Sequence, residues 1–301
     1  MRVRDKRKTE QRLAASKNLD RMTALEIVRL MNREDRKVAV AVGRALPAIA
    51  RAVELIAAAL RSSGRLFYVG AGSSGRMAIL DAAECPPTFG ISSKQMLAFI
   101  AGGRRAVTGA VEGAEDAAAN AARDLRTAKL TRRDVVVGIA ASGTTPYVLA
   151  ALRYARKVGA KTVAVTANRS GAAKGLADIR IVTEVGPEVL TGSTRLKAGT
   201  SQKMVLNMLS TAVMARLGHV YENLMIDAII TNTKLRQRAV RILAEASGAS
   251  LSAAEHALPA AGHSMRVALV MLKLGVSPTE ARRRLKAAHR ELRQALGERA
   301  R

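Results

Sequence analysis

The chain contains few aromatic side chains, one cysteine and four histidines among its 301 residues. Phe, Tyr and Trp together make up 2% of the sequence and tryptophan is absent, so the core must consist mainly of aliphatic side chains and methionine. The single cysteine, Cys85, excludes an intrachain disulfide and is typical of a reducing cytoplasm. Because the histidines lack the spacing of metal ligands, we expect no metal site; they are His219, His256, His263 and His289.

Long apolar runs are also missing. None approaches the ~18 residues that a membrane span requires, and the N-terminal stretch lacks the apolar region of a signal peptide. We therefore expect a cytoplasmic protein with no membrane partner.

Basic residues, in contrast, are abundant: 50 Lys and Arg against 24 Asp and Glu give a net charge of +26. Such an excess is found in nucleic-acid-binding proteins. Base stacking needs aromatic side chains, however, and the basic residues here are spread along the whole chain. We interpret the charge as a solvated surface that attracts anionic substrates, and we predict no specific nucleic-acid partner.

The most informative segment covers residues 65–90. An apolar run, Leu66–Val69, ends at a glycine-rich turn, and a helical pattern then begins at Ser73 and Ser74. This arrangement predicts an anion site, because the free N–H groups and the positive dipole end of a helix N-terminus favour phosphate. Glu84 follows ten residues after Ser74, beside the pair Pro86–Pro87. A phosphate site with a carboxyl nearby suggests chemistry on a phosphorylated small molecule.

The glycines of this loop allow another interpretation. Gly70, Gly72 and Gly75 form the pattern G-x-G-x-x-G, which also occurs in dinucleotide sites. Those sites need an acid about 20 residues later, after the next strand. The next strand candidate, Gln95–Ile100, is followed by Ala-Gly-Gly. The two serines therefore favour a terminal phosphate, and a serine-rich turn without a ligand is the structural alternative.

Strand and helix patterns alternate after about 60 helical residues. The predicted strands are Leu66–Val69, Gln95–Ile100, Asp134–Ala140, Lys161–Thr166 and Ile179–Thr183. The predicted helices between them are Met77–Ala83, Ala114–Leu125, Pro146–Lys157 and Ala172–Ala177. This alternation predicts an α/β fold, a three-layer sandwich around a five-stranded parallel sheet of order 2-1-3-4-5.

Three parts of the chain are predicted. Residues 1–50 form an N-terminal helical arm, 51–220 a sugar-phosphate-binding domain and 221–301 a helical C-terminal subdomain. The last part shows three or four short helices, with breaks at Gly248, Gly262 and Ser277-Pro278. A DNA-binding bundle is possible for such a basic segment, but the lack of a recognition-helix signature favours a role in packing or dimerisation.

A second loop resembles the first. The strand Asp134–Ala140 leads into Ser142, Gly143 and Thr145, and Pro146 suits the first turn of the next helix. With the order 2-1-3-4-5, strands 1 and 3 are neighbours at the switch point where ligands bind. We expect the two hydroxyl-bearing loops to converge on one pocket.

A cluster of acids follows the second strand. Glu112, Glu115 and Asp116 have no Lys or Arg at helical spacing. Acids in a first helical turn complement the dipole, and this explains Glu112 and Asp116. Glu115 is expected to face across the loop at the same sheet edge as Glu84, where a carboxylate could transfer protons.

Long stretches of the sequence resemble one known family. They are LDAAECPPTFG at 80–90, VEGAED at 111–116, GIAASGTTPY at 138–147, TGSTRLKAGTSQKMVLNMLSTAVM at 191–214 and ENLMIDAIITN at 222–232. These blocks closely resemble the bacterial N-acetylmuramic acid 6-phosphate etherases. The resemblance implies a sugar isomerase (SIS) type fold, a homodimer, and a lyase of peptidoglycan recycling without metal or cofactor. The implied reaction cleaves a D-lactyl ether to give N-acetylglucosamine 6-phosphate and D-lactate.

The resemblance also implies roles for individual residues. Glu84 is the implied proton donor and Glu115 the base at C2 of the sugar. The phosphate and the sugar hydroxyls are bound by Ser73, Ser74, Ser142, Gly143 and Thr145. Arg195 and Lys197 either fix the lactyl carboxylate or the phosphate, or form a structural salt bridge.

The sequence departs from the family at two positions and leaves two other functions open. Thr144 replaces an arginine that is common in the family, and Leu13 replaces an asparagine. A noncatalytic sugar-phosphate regulator on the same fold would not need both carboxyls. An aldose–ketose isomerase would need a base near C2 but no acid for a leaving group at C3.

Overall fold

The computed structural model describes residues 7–171, 173, 175–289 and 291–298. They divide into two units, one made of the described residues up to Ala83 with Ser93–Val213, and one of Glu84–Ser92 with the described residues from Met214 onward. The domain limits inferred from the sequence, at residues 50 and 220, stay predictions.

The first unit begins with helices. Three short 3₁₀ turns, Lys8–Glu10, Ala14–Ser16 and Leu19–Arg21, precede α1 (Ala24–Gly43) and α2 (Leu46–Arg61). Helix α1 starts at a capping box, in which Thr23 Oγ1 accepts from the N–H of Glu26 and the Glu26 carboxylate accepts from the N–H of Thr23. This reciprocal pair satisfies two backbone donors and fixes where the helix begins.

The sheet has the predicted strands and the predicted order. Its strands are β1 (Leu66–Gly70), β2 (Met96–Ile100), β3 (Val135–Ile139), β4 (Lys161–Thr166) and β5 (Ile179–Val182). They are parallel and ordered β2-β1-β3-β4-β5, which confirms the expected α/β topology. β1 and β3 are adjacent, with Leu66 opposite Val135 and Gly70 opposite Ile139. Their carboxyl ends therefore open side by side.

Helices surround this sheet. They are α3 (Gly72–Phe89), α4 (Arg105–Thr108), α5 (Ala118–Thr127), α6 (Pro146–Val158) and α7 (Lys197–Arg216). Phe67 and Val136 pack into one apolar cluster with Leu125 of α5 and Leu152 of α6. Alternate side chains of a strand point to opposite faces. Because Tyr68, between these positions, is also 0% exposed, the sheet is covered on both faces.

Two predicted helices differ from the observed ones. Helix α3 is longer than Met77–Ala83 and continues through the two prolines at 86 and 87. The stretch Ala114–Leu125 is divided into a 3₁₀ turn, Ala114–Asp116, and α5, since Ala117 leaves the helical region with φ −74° and ψ 66°. The predicted helix Ala172–Ala177 includes residues 172 and 174, which lie outside those described, and its described residues, 173 and 175–177, are not helical.

The second unit is helical beyond residue 232. Its helices are α8 (Thr233–Ser247), α9 (Leu251–Ala260), α10 (Met265–Leu274), α11 (Pro278–Ala287) and α12 (Leu292–Ala295). Gly248 ends α8 with a left-handed φ of +74°, and Ser277 caps α11 by accepting from the N–H of Glu280. The breaks predicted at these residues are present, and Gly275, which ends α10, belongs to the same break as Ser277. None of the helices among the described residues is long and apolar enough to cross a membrane.

Candidate active site

A cleft of about 410 Å³ opens where β1 and β3 end. Its volume is within the ~300–1,000 Å³ range of small-molecule sites. Both hydroxyl-bearing loops line it, through Ser73, Ser74, Ser142, Thr144 and Thr145. The other polar lining residues are Arg7, Glu10, Glu115, Asp116 and Thr194. The structure thus brings together the two loops that the strand order predicts to converge.

The glycines of the first loop permit a close strand-to-helix turn. A Cβ atom on Gly70 would lie 2.7 Å from the backbone nitrogen of Gly75, and one on Gly75 would lie 2.5 Å from Cγ1 of Ile100. Gly72 has a left-handed φ of +53°. Packing therefore explains the G-x-G-x-x-G pattern without a dinucleotide.

The serines of this loop have different surroundings. Ser73 is half-buried and lines the cleft, where the first turn of α3 has N–H groups without partners inside the helix. Ser74 is buried and its hydroxyl donates to Oε1 of Gln202 at 2.9 Å. Ser73 is thus the more accessible hydroxyl, whereas Ser74 also fixes the loop to α7.

The second loop is held by its own hydrogen bonds. Ser142 Oγ accepts from the N–H and from the hydroxyl of Thr144, both at 3.1 Å. Gly143 has φ +71°, and a Cβ atom there would lie 2.9 Å from Oγ1 of Thr166. Thr145 precedes α6 without making a side-chain capping bond. Its hydroxyl and the first N–H groups of α6 are therefore available to a bound anion.

Glu115 lies exposed on the 3₁₀ turn before α5. It lines the cleft and also an adjoining cavity of about 220 Å³. The end of α4, which precedes this turn, is held to α3 by Arg76. The Arg76 guanidinium donates to the carbonyls of Val107 at 3.0 Å and Gly109 at 2.7 Å. In the described part of the chain, no ion pair joins Glu115 to a basic side chain, and Arg7 is the one cation that lines the same cleft.

Glu84 belongs to the second unit and is exposed on α3. Because prolines 86 and 87 have no N–H, they remove two backbone bonds from this helix end. The Thr88 hydroxyl donates to the Glu84 carbonyl at 2.7 Å, and the N–H of Ile229 donates to the carbonyl of Pro87 at 2.9 Å. Glu84 is not among the residues that line the cleft, and its cooperation with Glu115 stays a prediction.

Asp227 stabilises the segment that contacts this helix end. Its carbonyl is close to Gly90, where a Cβ atom would lie 2.5 Å away. Its carboxylate accepts from the Arg266 guanidinium and lies 2.7 Å from Nδ1 of His219. Burial raises the pKa of Asp227, but the bonds from Arg266 and His219 outweigh burial and hold that pKa below its usual range. The ENLMIDAIITN block is therefore a packing partner of the Glu84-bearing segment.

The two basic candidates lie outside the cleft lining. Arg195 is exposed and does not line the cleft. Lys197 is 1% exposed, and its ammonium lies 2.8 Å from a carboxylate oxygen of Glu34. The Lys197 N–H donates to Glu188 at 3.1 Å. The structure thus gives Lys197 the salt bridge that was the alternative to a substrate contact.

Several lining residues were not predicted. Glu10 belongs to the first 3₁₀ turn and Arg7 directly precedes it, whereas Gly192 and Thr194 come from the stretch that precedes α7. Among the residues in the described ranges, no group of three or more His, Cys, Asp or Glu side chains is arranged to hold a metal ion.

Comparisons with known proteins agree with this architecture. Residues 48–156 match the family model of the glucokinase regulatory protein N-terminal SIS domain, and residues 114–212 match the SIS domain model. A solved phosphoheptose isomerase from Francisella tularensis superimposes with a TM-score of 0.51 at 18% identity, covering 64% of this chain and 100% of that chain. This likeness concerns the fold alone.

Two relatives are similar over nearly the whole sequence. The N-acetylmuramic acid 6-phosphate etherase of Serratia proteamaculans (strain 568) is 52% identical over 288 residues, which cover 96% of this chain and 97% of that protein. The etherase of Geobacillus sp. (strain WCH70) is 51% identical, with coverage of 96% and 98%. The chain belongs to the N-acetylmuramic acid 6-phosphate etherase family.

Proposed function

We propose that this protein cleaves the D-lactyl ether of N-acetylmuramic acid 6-phosphate, giving N-acetylglucosamine 6-phosphate and D-lactate. The observation that carries this proposal is the identity of about half of all residues, over 96% of the chain, with proteins of that name. The polar cleft at the carboxyl edge of β1 and β3 supports it, since a sugar phosphate fits the chemistry of its lining. A regulator or an isomerase on the same fold is less consistent with the full-length similarity.

The phosphate would bind between the two loops. Ser73 and the first N–H groups of α3 would contact it from one side, and Thr145 with the first N–H groups of α6 from the other. Ser142 and Gly143 would shape the second loop and contact sugar hydroxyls. Ser74 would hold the first loop in position through its hydrogen bond to Gln202 of α7.

The proposed reaction is an elimination followed by addition of water. With the ring open, the C2 proton is acidic because it lies next to the aldehyde, and Glu115 removes it. The C3–O bond breaks, Glu84 gives its proton to the lactyl oxygen, and a C2=C3 double bond forms. Water then adds its oxygen to C3 while a proton returns to C2. One carboxyl must be ionised when the other is protonated, which is a common division of roles in acid–base catalysis.

The roles of these carboxyls rest on the family motifs at 80–90 and 111–116. The accessibility of Glu115 at the cleft supports its role as base. The exposure of Glu84 and the packing of its helix end on 227–229 support a carboxyl held on a defined element. Arg195 remains a candidate for the lactyl carboxylate. Lys197 is left out of the proposed site because its charge is paired with Glu34.

Measurement of D-lactate release from N-acetylmuramic acid 6-phosphate tests the reaction. Glu84→Gln is expected to stop release while C2 still exchanges hydrogen with deuterated water. Glu115→Gln should lose both exchange and release. Glu112→Gln, a neighbouring exposed acid outside the cleft lining, is the control and should keep wild-type turnover.

Other outcomes would contradict specific parts of the proposal. Full turnover by Glu84→Gln would remove Glu84 as the acid, and retained exchange in Glu115→Gln would indicate another base. Conversion of an aldose phosphate to a ketose without lactate release would favour an isomerase. Tight sugar-phosphate binding without any turnover would favour a regulator.

We also propose that the protein is a cytoplasmic homodimer that acts in peptidoglycan recycling, as its family resemblance implies. Three large apolar side chains, Leu25, Val28 and Val40, are more than half exposed on one face of α1, and this supports self-association. Light scattering on the purified protein should give twice the chain mass of 31.9 kDa. A mass of one chain would contradict the dimer and leave the proposed reaction untouched.

A further inference from the structure

The N-terminal segment Arg7–Glu10 is fixed to the second loop through one buried residue. Thr9 is 0% exposed, and its hydroxyl accepts from Nδ2 of Asn168 at 3.0 Å. The same amide nitrogen donates to the carbonyl of Ala141 at 3.0 Å, directly before Ser142. Asn168 is itself 2% exposed. We call residues 7–10 the N-terminal strap.

Two residues of the strap face the cleft. Arg7 and Glu10 both line it, and the Arg7 guanidinium donates to Oγ1 of Thr144 at 3.2 Å. Lys8, between them, instead lies 3.7 Å from the carboxylate of Glu184. The strap therefore directs one basic side chain toward the cleft and the next one to a separate acid.

Arg7 supplies positive charge to a cleft whose other charged lining residues are acidic. Among the described residues that line the cleft, Arg7 is the one cation, whereas Glu10, Glu115 and Asp116 are acids. A phosphomonoester carries close to two negative charges at neutral pH. Hydroxyls and helix N-termini stabilise it with partial charges only, and the acids nearby repel it. A guanidinium can offset that repulsion and donate two parallel bonds to phosphate oxygens.

We propose that Arg7 binds the phosphate group of the substrate, and that the strap, anchored by Thr9 and Asn168, holds it against the second loop. This inference rests on the proposed function for the identity of the sugar phosphate. The hydrogen bond from Arg7 to Thr144 holds the guanidinium at the residue next to Thr145, which is expected to contact the same phosphate. Arg7 is thus assigned to binding and not to proton transfer.

The test compares Arg7→Ala with Lys8→Ala, a matched control on the same strap. Dissociation constants are measured by titration calorimetry for N-acetylglucosamine 6-phosphate, which has the phosphate but no lactyl group, and for N-acetylmuramic acid, which has the lactyl carboxylate but no phosphate. Because charge-assisted hydrogen bonds are lost, Arg7→Ala should bind the phosphorylated ligand about 10- to 100-fold more weakly than wild type. The KM should rise in parallel, kcat should change less than about threefold, and Lys8→Ala should behave like wild type.

Two further variants test charge and anchoring separately. Arg7→Lys keeps the charge but loses the two-pronged geometry, so its effect should be intermediate. Thr9→Val keeps the side-chain shape but loses the hydroxyl that accepts from Asn168. Like Arg7→Ala, it should lower the affinity for the phosphorylated ligand.

The possible outcomes separate this inference from the proposed reaction. Unchanged binding of the phosphorylated ligand to Arg7→Ala would overturn the assignment of Arg7. A loss confined to N-acetylmuramic acid would overturn it too, because Arg7 would then bind the carboxylate. Unchanged binding to Thr9→Val would overturn the anchoring role. If the wild-type protein binds N-acetylglucosamine 6-phosphate in an Arg7-dependent way but releases no lactate, the reaction fails and the phosphate contact stands.

Discussion

Replacing Lys197 by methionine would remove one half of a buried ion pair. The side chains of Lys197 and Glu34 are 2% and 4% exposed, and 2.8 Å separates their charged atoms. Loss of one partner leaves a buried charge without compensation, which typically costs about 3–5 kcal/mol. Glu34 keeps a second partner, Lys37, at 2.6 Å. We therefore expect the lower end, about 3 kcal/mol of unfolding free energy.

The same carboxylate offers a matched control. Lys37 contacts Glu34 as well, but its side chain is 58% exposed, so Lys37→Met should cost less than about 1 kcal/mol. The double variant Glu34→Leu with Lys197→Met removes both buried charges and should recover most of the lost stability. Circular dichroism during heating should show Lys197→Met melting roughly 6–12 °C below wild type, on the scale of ~2–4 °C per kcal/mol.

The effect should also depend on pH. Burial raises the pKa of Glu34, but the hydrogen bonds and charges of Lys197 and Lys37 outweigh burial and hold it below its ordinary value of 4.5. A carboxyl with a depressed folded-state pKa contributes stability above its unfolded pKa, and that stability is lost as the pH falls through the folded value. The difference between wild type and Lys197→Met should therefore be full at pH 7 and shrink below about pH 4.

One result would refute this reasoning. The result would be a Lys197→Met variant that melts within 2 °C of wild type, a shift that corresponds to a loss of only ~0.5 kcal/mol, and whose KM for the sugar phosphate is raised. Lys197 would then act on the substrate. The salt-bridge interpretation would then be wrong, and Lys197 would return to the list of binding residues.

Three other substitutions, the first with a matched control, follow from the same structure. Gly143→Ala puts a methyl group 2.9 Å from Thr166 Oγ1 at a φ of +71°, and steady-state assays should show kcat/KM reduced by about tenfold or more. The control Gly186→Ala has a similar φ of +75° but open space around it, so it should leave kcat/KM unchanged. Asp81→Asn should raise the melting temperature at pH 7 but not below about pH 4, because burial raises the pKa of Asp81 and its ionised form is unfavourable in the fold. Asp227→Asn leaves buried Arg266 without its counterion and should cost about 3 kcal/mol in denaturant unfolding, with a fall in kcat as the Glu84-bearing helix end loosens. Melting at wild-type temperature in that variant would contradict the role given to Asp227.

The sheet could be predicted because each of its strands is a short apolar run that can be recognised from neighbouring residues in the sequence. Each of the five runs is bounded by polar or glycine-rich turns, and the observed strands lie within one residue of the predicted limits. The order 2-1-3-4-5 follows from right-handed crossovers and from the two similar loops after β1 and β3. Location of the cleft followed from that order, since adjacent parallel strands present their loops at one edge.

The acids were predictable by type but not by local structure. The helix predicted to end at Ala83 continues through the prolines to Phe89, where the Thr88 hydroxyl donates to the Glu84 carbonyl and the N–H of Ile229 donates to the Pro87 carbonyl. Ala117 interrupts the helix predicted from Ala114, so Glu115 is on a 3₁₀ turn instead of an α-helix. Lys197 follows a motif that looks like a binding site, and only the fold shows Glu34 beside it.

The N-terminal strap shows why net charge does not predict the charge of a site. The chain carries +26, yet three acids and one arginine are the charged residues that line the cleft in the part of the chain described here. The overall field brings anions to the surface, but it decays within about 8–10 Å in physiological salt and does not order a phosphate between two loops. We assign that task to the two loops together with the guanidinium of Arg7. Thr9 and Asn168 are 159 positions apart, so no periodic or local pattern reveals their contact. The strap, and with it the position of Arg7, therefore emerges only when the chain is folded.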